Sequence, residues 1–384
     1  MIPDRVSQSG SPIAAGCRNP QLDGLRAFAA VAVAVYHSVL QLDPSQIQRI
    51  LSRDIWNIPA GYGTVDKVVL SLWNGQTAVA VFFVLSGAVL FSTLQQRKLR
   101  PLISSIDFTV KRILRIYPAL FVCLIIYTLV VLAMGDRASV SQFWQNALLI
   151  DNPIQGESWT LQVEMLAIPL ILVSFVSWRA AGAAGIVAVY VCTWLLFRIP
   201  WLAPLFGHPR TYTLCFVLGF LIPTSAGSRI ATRFPSGAWP LLLIVMLGAR
   251  HFIPTRIHSI NTDLFSLGLL FVTAGLLVAI LYYENAGSLG AFLQRPFAVY
   301  LGRASYSFYL YNVIFIRILS VVLLRYTSAR EHPVEWGIAL SIAVIALTIP
   351  VAHLSERFIE NPGVMLGRRI TRNWGGREPA TRGA

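Results

Sequence analysis

Residues 21–37, QLDGLRAFAAVAVAVYH, decide the fold. After its first turn this stretch is an unbroken apolar run, yet it carries Arg26 near its entrance and His37 well inside. Eleven positions separate the two. As a helix they turn through about 1100°, roughly 20° past three whole turns, so both lie on one face about 16 Å apart along the axis. An arginine and a histidine on one stripe of a membrane helix are costly to keep, and the default reading of such residues is function. The plainer alternatives are a snorkelling anchor for Arg26 and a packing histidine bonded to a neighbouring helix for His37. Asp23, three residues before Arg26, either pairs with it or caps the helix, and the cap is the commoner role.

The rest of the chain has the same character. Of 384 residues, 55% are hydrophobic and 12% charged, with a mean hydropathy of +0.64. Soluble domains carry about 25% charge, so the composition indicates an all-α polytopic membrane protein. The net charge of +14 does not call for a nucleic-acid partner, because cytoplasmic loops of membrane proteins collect Lys and Arg. Cys17, Cys123, Cys192 and Cys215 are scattered without metal or disulfide spacing and read as filler. The first apolar run begins past residue 20, is long for a signal peptide and contains a histidine, so it reads as an uncleaved span.

Runs near the ~20-residue bilayer length give about ten spans: 22–40, 77–94, 116–134, 161–178, 180–197, 212–223, 240–248, 264–283, 306–324 and 336–354. The sixth and seventh are short and hemmed by prolines and basic residues, a pattern shared with re-entrant segments. With the N-terminus cytoplasmic, nineteen Lys and Arg fall in inner segments and ten in outer ones. That bias, and an even number of spans, puts both termini in the cytoplasm. Residues 1–20 are then a cytoplasmic N-terminal segment, 21–362 the membrane domain, and 363–384 a basic, flexible tail against anionic headgroups. Two outer loops, 41–76 and 135–158, mix Trp, Asn, Asp and Gly. They read equally as a polar acceptor site or as interfacial loops with aromatic anchors.

Several motifs carry chemistry. In 79–90, VAVFFVLSGAVL, Ser86 and Gly87 form a small pair best suited to close helix packing. Lys111, Arg112 and Arg115 lead into the third span, RIYP. Arg112 and Arg115 share a helical face, which anchors the inner boundary and also suits an anionic, phosphate-bearing ligand. In 158–164, SWTLQVE, Glu164 sits just inside a span, where it must pair or face a wet cavity. There it could orient a histidine or receive a hydroxyl proton. Tyr306, Tyr309 and Asn312, in 301–312 (LGRASYSFYLYN), offer either interhelical hydrogen bonds or substrate contacts. In 353–362, HLSERFIENP, the residues Glu356, Arg357 and Glu360 read as an interfacial ion-pair cluster.

These pieces occur in the order of one family. LDGLRAFAAVAVAVYH, FFVLSG, KRILRIYP, SWTLQVE, LGRASYSFYLYN and ERFIENP together make the chain resemble the acyltransferase-3 family of bacterial integral membrane acyltransferases, over about residues 20–362. The family's Arg and His with ten residues between fall on Arg26 and His37. Its paired arginines fall on Arg112 and Arg115, and its Trp and Glu on Trp159 and Glu164. Where its late tyrosine-rich helix often ends in His, this chain has Asn312. The resemblance implies an O-acyltransferase of the bacterial inner membrane. It would move an acyl group, usually acetyl, from acyl-CoA to a hydroxyl of surface polysaccharide, lipopolysaccharide O-antigen or an oligosaccharide, while some members acylate macrolides. It implies His37 as general base or acyl carrier, with Arg26, Glu164 and Asp23 around it. Arg26, Arg112 and Arg115 would hold the CoA phosphates, and Trp159, Tyr306, Tyr309 and Asn312 the substrate. No metal is called for, and membrane lipid is the remaining partner. The competing readings are a carbohydrate or lipid transporter coupling through Arg26, His37 and Glu164, and a scaffold for polymer assembly. Transporters often show repeated halves, and no such repeat is visible here.

Overall fold

The computed structural model describes residues 19–52, 62–96, 101–197, 199, 210–252, 260–326 and 328–372. Expectations for the N-terminal segment up to Arg18, for 53–61 of the first long loop, for Arg97, Lys98 and Arg100, and for the tail beyond Arg372 lie outside these residues. All regular structure among the described residues is helical. Each of the ten expected spans falls on a helix to within two residues at its ends. By length and composition, six helical stretches could cross a bilayer, or eight if each of two sharply bent helix pairs counts as one span.

Helix α1 (Pro20–Leu40) is the centre of the bundle. It packs against α2 (Pro44–Ser52), α4 (Gly75–Gln95), α11 (Ile260–Tyr282), α12 (Gly287–Leu293), α13 (Pro296–Arg303), α14 (Ser305–Tyr326) and α15 (Pro333–Ser355). Its sequence allows this: Ala27, Ala30 and Ala34 present a thin face to Leu301, Ala304, Phe308 and Ala352, while Leu22, Leu25, Ala29 and Val33 join the main core. The helix begins with Pro20, whose missing N–H is no loss at that position. Asn19 caps it, accepting from Gln21 N at 2.9 Å and donating to the carbonyls of Leu281 and Tyr282. The cap is therefore Asn19, which leaves Asp23 to pair with Arg26. Because α1 ends at Leu40, His37 stands in its last turn and not deep in a longer span. Asp43 then starts α2, accepting from Gln46 N at 2.9 Å.

Helix α4 packs tightly on α8 (Arg210–Leu221). A Cβ on Gly87 would lie 2.3 Å from the Phe216 carbonyl oxygen, and one on Gly219 2.2 Å from that of Val84. The small pair thus divides its labour: Gly87 allows the backbones to meet, and Ser86 faces a cavity described below. Helix α7 (Trp159–Leu196) consists of two arms. Ala181 and Gly182 leave helical geometry, with Gly182 at φ +59°, which favours glycine. A Cβ on Gly185 would sit 2.1 Å from the Ser177 oxygen, whereas eight residues of straight helix span about 12 Å. The chain therefore reverses here, and the arms carry the fourth and fifth expected spans.

Pro118 lies inside α5 (Pro101–Ala133) and has no N–H for the carbonyl of Leu114. Against that carbonyl packs Gly363, whose Cβ would stand 2.4 Å away. It belongs to α16 (Asn361–Thr371), so the stretch from 363, expected to be flexible from its composition, is helical and packed on α5 through Thr371. A turn of π-helix, Glu356–Glu360, links α15 to α16. It turns the Glu360 carboxylate into the interior to meet Arg115, so the expected cluster of Glu360 with Glu356 and Arg357 gives way to this pair. Arg357 lies over the Phe358 ring instead.

The ends of the bundle differ. Arg26, Arg112 and Arg115 mark one, which we call the arginine end. The other, the histidine end, holds His37, α2, α3 (Tyr62–Leu72), α6 (Val140–Ala147) and the turn before α7. There the buried Lys67 of α3 donates to the carbonyls of Ile50 and Leu51 and so fastens α2.

Candidate active site

Helices α1, α4, α5, α7 and α14 surround a cavity of about 880 Å3, counting the space at its mouth. Its lining on α4 runs from Val79 through Ser86 to Leu90, eleven positions apart or about 16 Å of helix. Its lining is part apolar, with Phe82, Phe83, Ile116 and Leu161, and part polar, bringing together Arg26, Arg112, Arg115, Glu164, Tyr306 and Tyr309. Six residues singled out in the sequence thus converge from four helices.

The three arginines are not equivalent. Arg112 is 8% exposed and its Nη2 lies 2.7 Å from Glu164 Oε2, a charge-assisted hydrogen bond. Glu164 accordingly faces Arg112 and not the histidine. Arg115 is 46% exposed and only 3.5 Å from Glu360 at its nearer nitrogen. Glu360 also accepts from Ser307 at 3.2 Å. Arg26 Nη1 stands 3.4 Å from Asp23 Oδ1. Asp23 is buried at the arginine end, where its carbonyl meets Gly302 so closely that a Cβ there would be 1.9 Å away. It is thus removed from His37.

The tyrosines hold backbone. Tyr306 donates to the Ile116 carbonyl at 2.6 Å, and Tyr309 to the Glu157 carbonyl at 2.7 Å. Thr160 donates to the Tyr309 hydroxyl at 2.9 Å. Thr160 and Tyr309 are the end of the lining on this side. Beyond them, in the turn before α7, Glu157 directs Oε1 to Nδ1 of His37 at 3.8 Å. Tyr36, next to His37, packs on Gly75, four residues or about 6 Å along α4 from Val79. His37 therefore lies about one turn past the cavity, separated from it by the Thr160–Tyr309–Glu157 hydrogen bonds.

Two expected substrate residues are placed elsewhere. Trp159 packs with Phe83 and Tyr212, ring centroids 6.1 and 5.3 Å away, and does not line the cavity. Asn312 is 1% exposed and also off the lining. Conversely, Thr160 and Glu157 escaped the sequence reading. The signal for Glu157 was weak: one of three acids in the 135–158 loop, one residue before the quoted motif. Among the described residues, no group of His, Cys, Asp and Glu is arranged to hold a metal ion.

A family described as an acyltransferase domain matches residues 19–353. The chain is also similar to acyltransferase MdmB of Streptomyces mycarofaciens, with 26% identity over 394 residues, covering 92% of this chain and 93% of that protein. No solved structure matches it.

Proposed function

The chain belongs to this acyltransferase family, and from that premise we propose that it is a membrane O-acyltransferase that moves an acetyl group from acetyl-CoA to a carbohydrate hydroxyl. The observation that carries the reading is the cavity, which has arginines at one end and stops one turn short of a histidine at the other. Three guanidinium groups suit the phosphates of a nucleotide-bearing donor. Arg115 and Arg26 are the better placed, since Arg112 is taken up by Glu164. A cavity about 16 Å long suits an extended pantetheine arm, which would carry the thioester to Thr160 and Tyr309. Once the Thr160–Tyr309–Glu157 hydrogen bonds part, His37 Nε2 takes the proton of the acceptor hydroxyl as its oxygen attacks the thioester carbonyl. The C–S bond breaks and the CoA sulfur leaves with a proton, returned through the imidazole.

The excess of basic residues at the arginine end and in the tail supports a cytoplasmic position for that end. The donor would then enter from the cytoplasm and the acceptor from the opposite face of a bacterial inner membrane. Surface polysaccharide, O-antigen and oligosaccharides are the acceptors this arrangement serves directly. A small secreted molecule such as a macrolide is the alternative acceptor.

The test is mass spectrometry of surface glycans from wild-type cells, a deletion strain, and the deletion complemented with His37→Ala. We expect an acetyl mass to disappear on deletion and not return with the variant, although the variant inserts normally in the membrane. Its return with His37→Ala would remove His37 from the chemistry. Glycans unchanged by deletion would direct the acceptor search to secreted small molecules.

A further inference from the structure

We infer that Glu157 is the positioning residue of His37, an inference that rests on the function proposed above. The two carboxylates nearest to His37 in importance by sequence are occupied elsewhere: Glu164 on Arg112 and Asp23 on Arg26. Glu157 alone among the described acids is paired with His37, Oε1 to Nδ1 at 3.8 Å. At that separation the pair is one small side-chain adjustment from a hydrogen bond. Both side chains are about a quarter exposed, 25% and 23%, so a hydroxyl-bearing acceptor can reach the ring.

The turn that carries Glu157 is built to stay in place. Its carbonyl takes the Tyr309 hydroxyl at 2.7 Å and Thr160 Oγ1 at 3.3 Å. Ser158, buried, accepts from Asn146 at 2.7 Å, and its own hydroxyl lies 2.6 Å from the Gln155 carbonyl and 2.7 Å from Asn152 Oδ1. Asn146, fully buried, also accepts from the N–H groups of Ile154 and Gln155. These hydrogen bonds tie the turn to α6 through Asn146 and to α14 through Tyr309. They hold the backbone under a single outward carboxylate.

The chemistry follows from which ring nitrogen is engaged. A carboxylate at Nδ1 holds the proton on that nitrogen and leaves Nε2 as the base. It also stabilises the imidazolium that forms when Nε2 takes the hydroxyl proton. Glu157 touches neither donor nor acceptor in this scheme; it acts through His37. Tyr309 and Thr160, at the end of the donor cavity, connect the same turn to the thioester side.

The test uses membranes from source cells lacking the native gene and carrying the full chain as wild type, His37→Ala, Glu157→Gln or Glu157→Asp. [14C]Acetyl-CoA is the probe, and label entering endogenous acceptor is read against donor concentration. We expect Glu157→Gln to lower turnover on the order of a hundredfold, with the acetyl-CoA KM within about twofold of wild type because the arginine end is untouched. Glu157→Asp, which keeps the charge, should recover a substantial part of the loss. Wild-type turnover in Glu157→Gln beside an inactive His37→Ala would overturn the inference and leave the function standing. So would an Asp variant as impaired as the Gln variant. Transfer retained by His37→Ala would instead overturn the function itself. If Glu157→Gln does not accumulate, Glu157→Ala assayed with added formate replaces it: turnover that rises with formate supports the inference, and turnover that does not overturns it.

Discussion

Arg112 and Arg115 lie one turn apart on the same helix, yet their surroundings give them different work. Arg115, half exposed and loosely paired, is the one that the proposed function sets against the donor phosphates. Arg115→Ala should cost the donor a charged hydrogen bond, about 1.5–3 kcal/mol or roughly 10–100-fold in KM, with turnover little changed. Steady-state kinetics with acetyl-CoA would show it. Arg112 is held by Glu164 in the wall, and Arg112→Ala leaves that carboxylate unpaired. A loss of about 3–5 kcal/mol is expected, seen as a lower melting temperature in detergent. The double variant Arg112→Met with Glu164→Leu should recover most of it, since neither charge is then stranded. The sequence made both arginines and Glu164 visible, because ionised groups in apolar runs stand out whatever the fold. It could not separate Trp159 from Thr160. Adjacent helical residues point about 100° apart, and only the packed structure shows that the threonine faces the cavity while the tryptophan joins the aromatic core. Glu157 was hidden for another reason, since a short turn has no period to read.

At the scale of elements, contacts between backbones decide stability. Gly87 and Gly219 bring α4 and α8 together until each would place a Cβ within 2.3 Å of the other helix's carbonyl oxygens. Gly87→Ala should therefore force the helices apart and cost about 1–3 kcal/mol, measurable as a lower unfolding temperature in detergent. Ser86→Ala, one residue away and facing the cavity, should leave that temperature near wild type. Apolar run length made the helices legible, and Arg179 made the break between the arms of α7 legible close to the true reversal at Ala181–Gly182. The shortness of the sixth span hinted at an irregularity there, but the 88° bend between α8 and α9 (Ser225–Arg233) and the 77° bend between α11 and α12 were not themselves legible. They occur at connections of three and four residues, whose direction is set by the packing of their neighbours. Pro118 was visible in the sequence, but its partner Gly363 lies 245 residues away in the chain, and local pattern carries no record of such a meeting.

Across the whole molecule, charge and chemistry are segregated. The nineteen-to-ten division of basic residues predicts that reporters at both termini face the cytoplasm. Single cysteines at position 10 and position 381, in a background without native cysteines, should react with an impermeant maleimide only in inverted vesicles. Labelling of either in intact cells would reverse the topology and with it the assignment of donor and acceptor faces.

The Thr160–Tyr309–Glu157 hydrogen bonds have a consequence for the cell as well as for the reaction. A passage wide enough for a pantetheine arm, if open from end to end, would let protons run down their gradient. On the proposed function, a cavity that stops at Thr160 and Tyr309 would let an acetyl group be handed through the membrane while the membrane stays electrically sealed. The enzyme would then be a bulkhead with a hatch. Removing the hatch with Thr160→Ala and Tyr309→Ala together should collapse the pH gradient of proteoliposomes faster than the wild-type protein does, before any substrate is added.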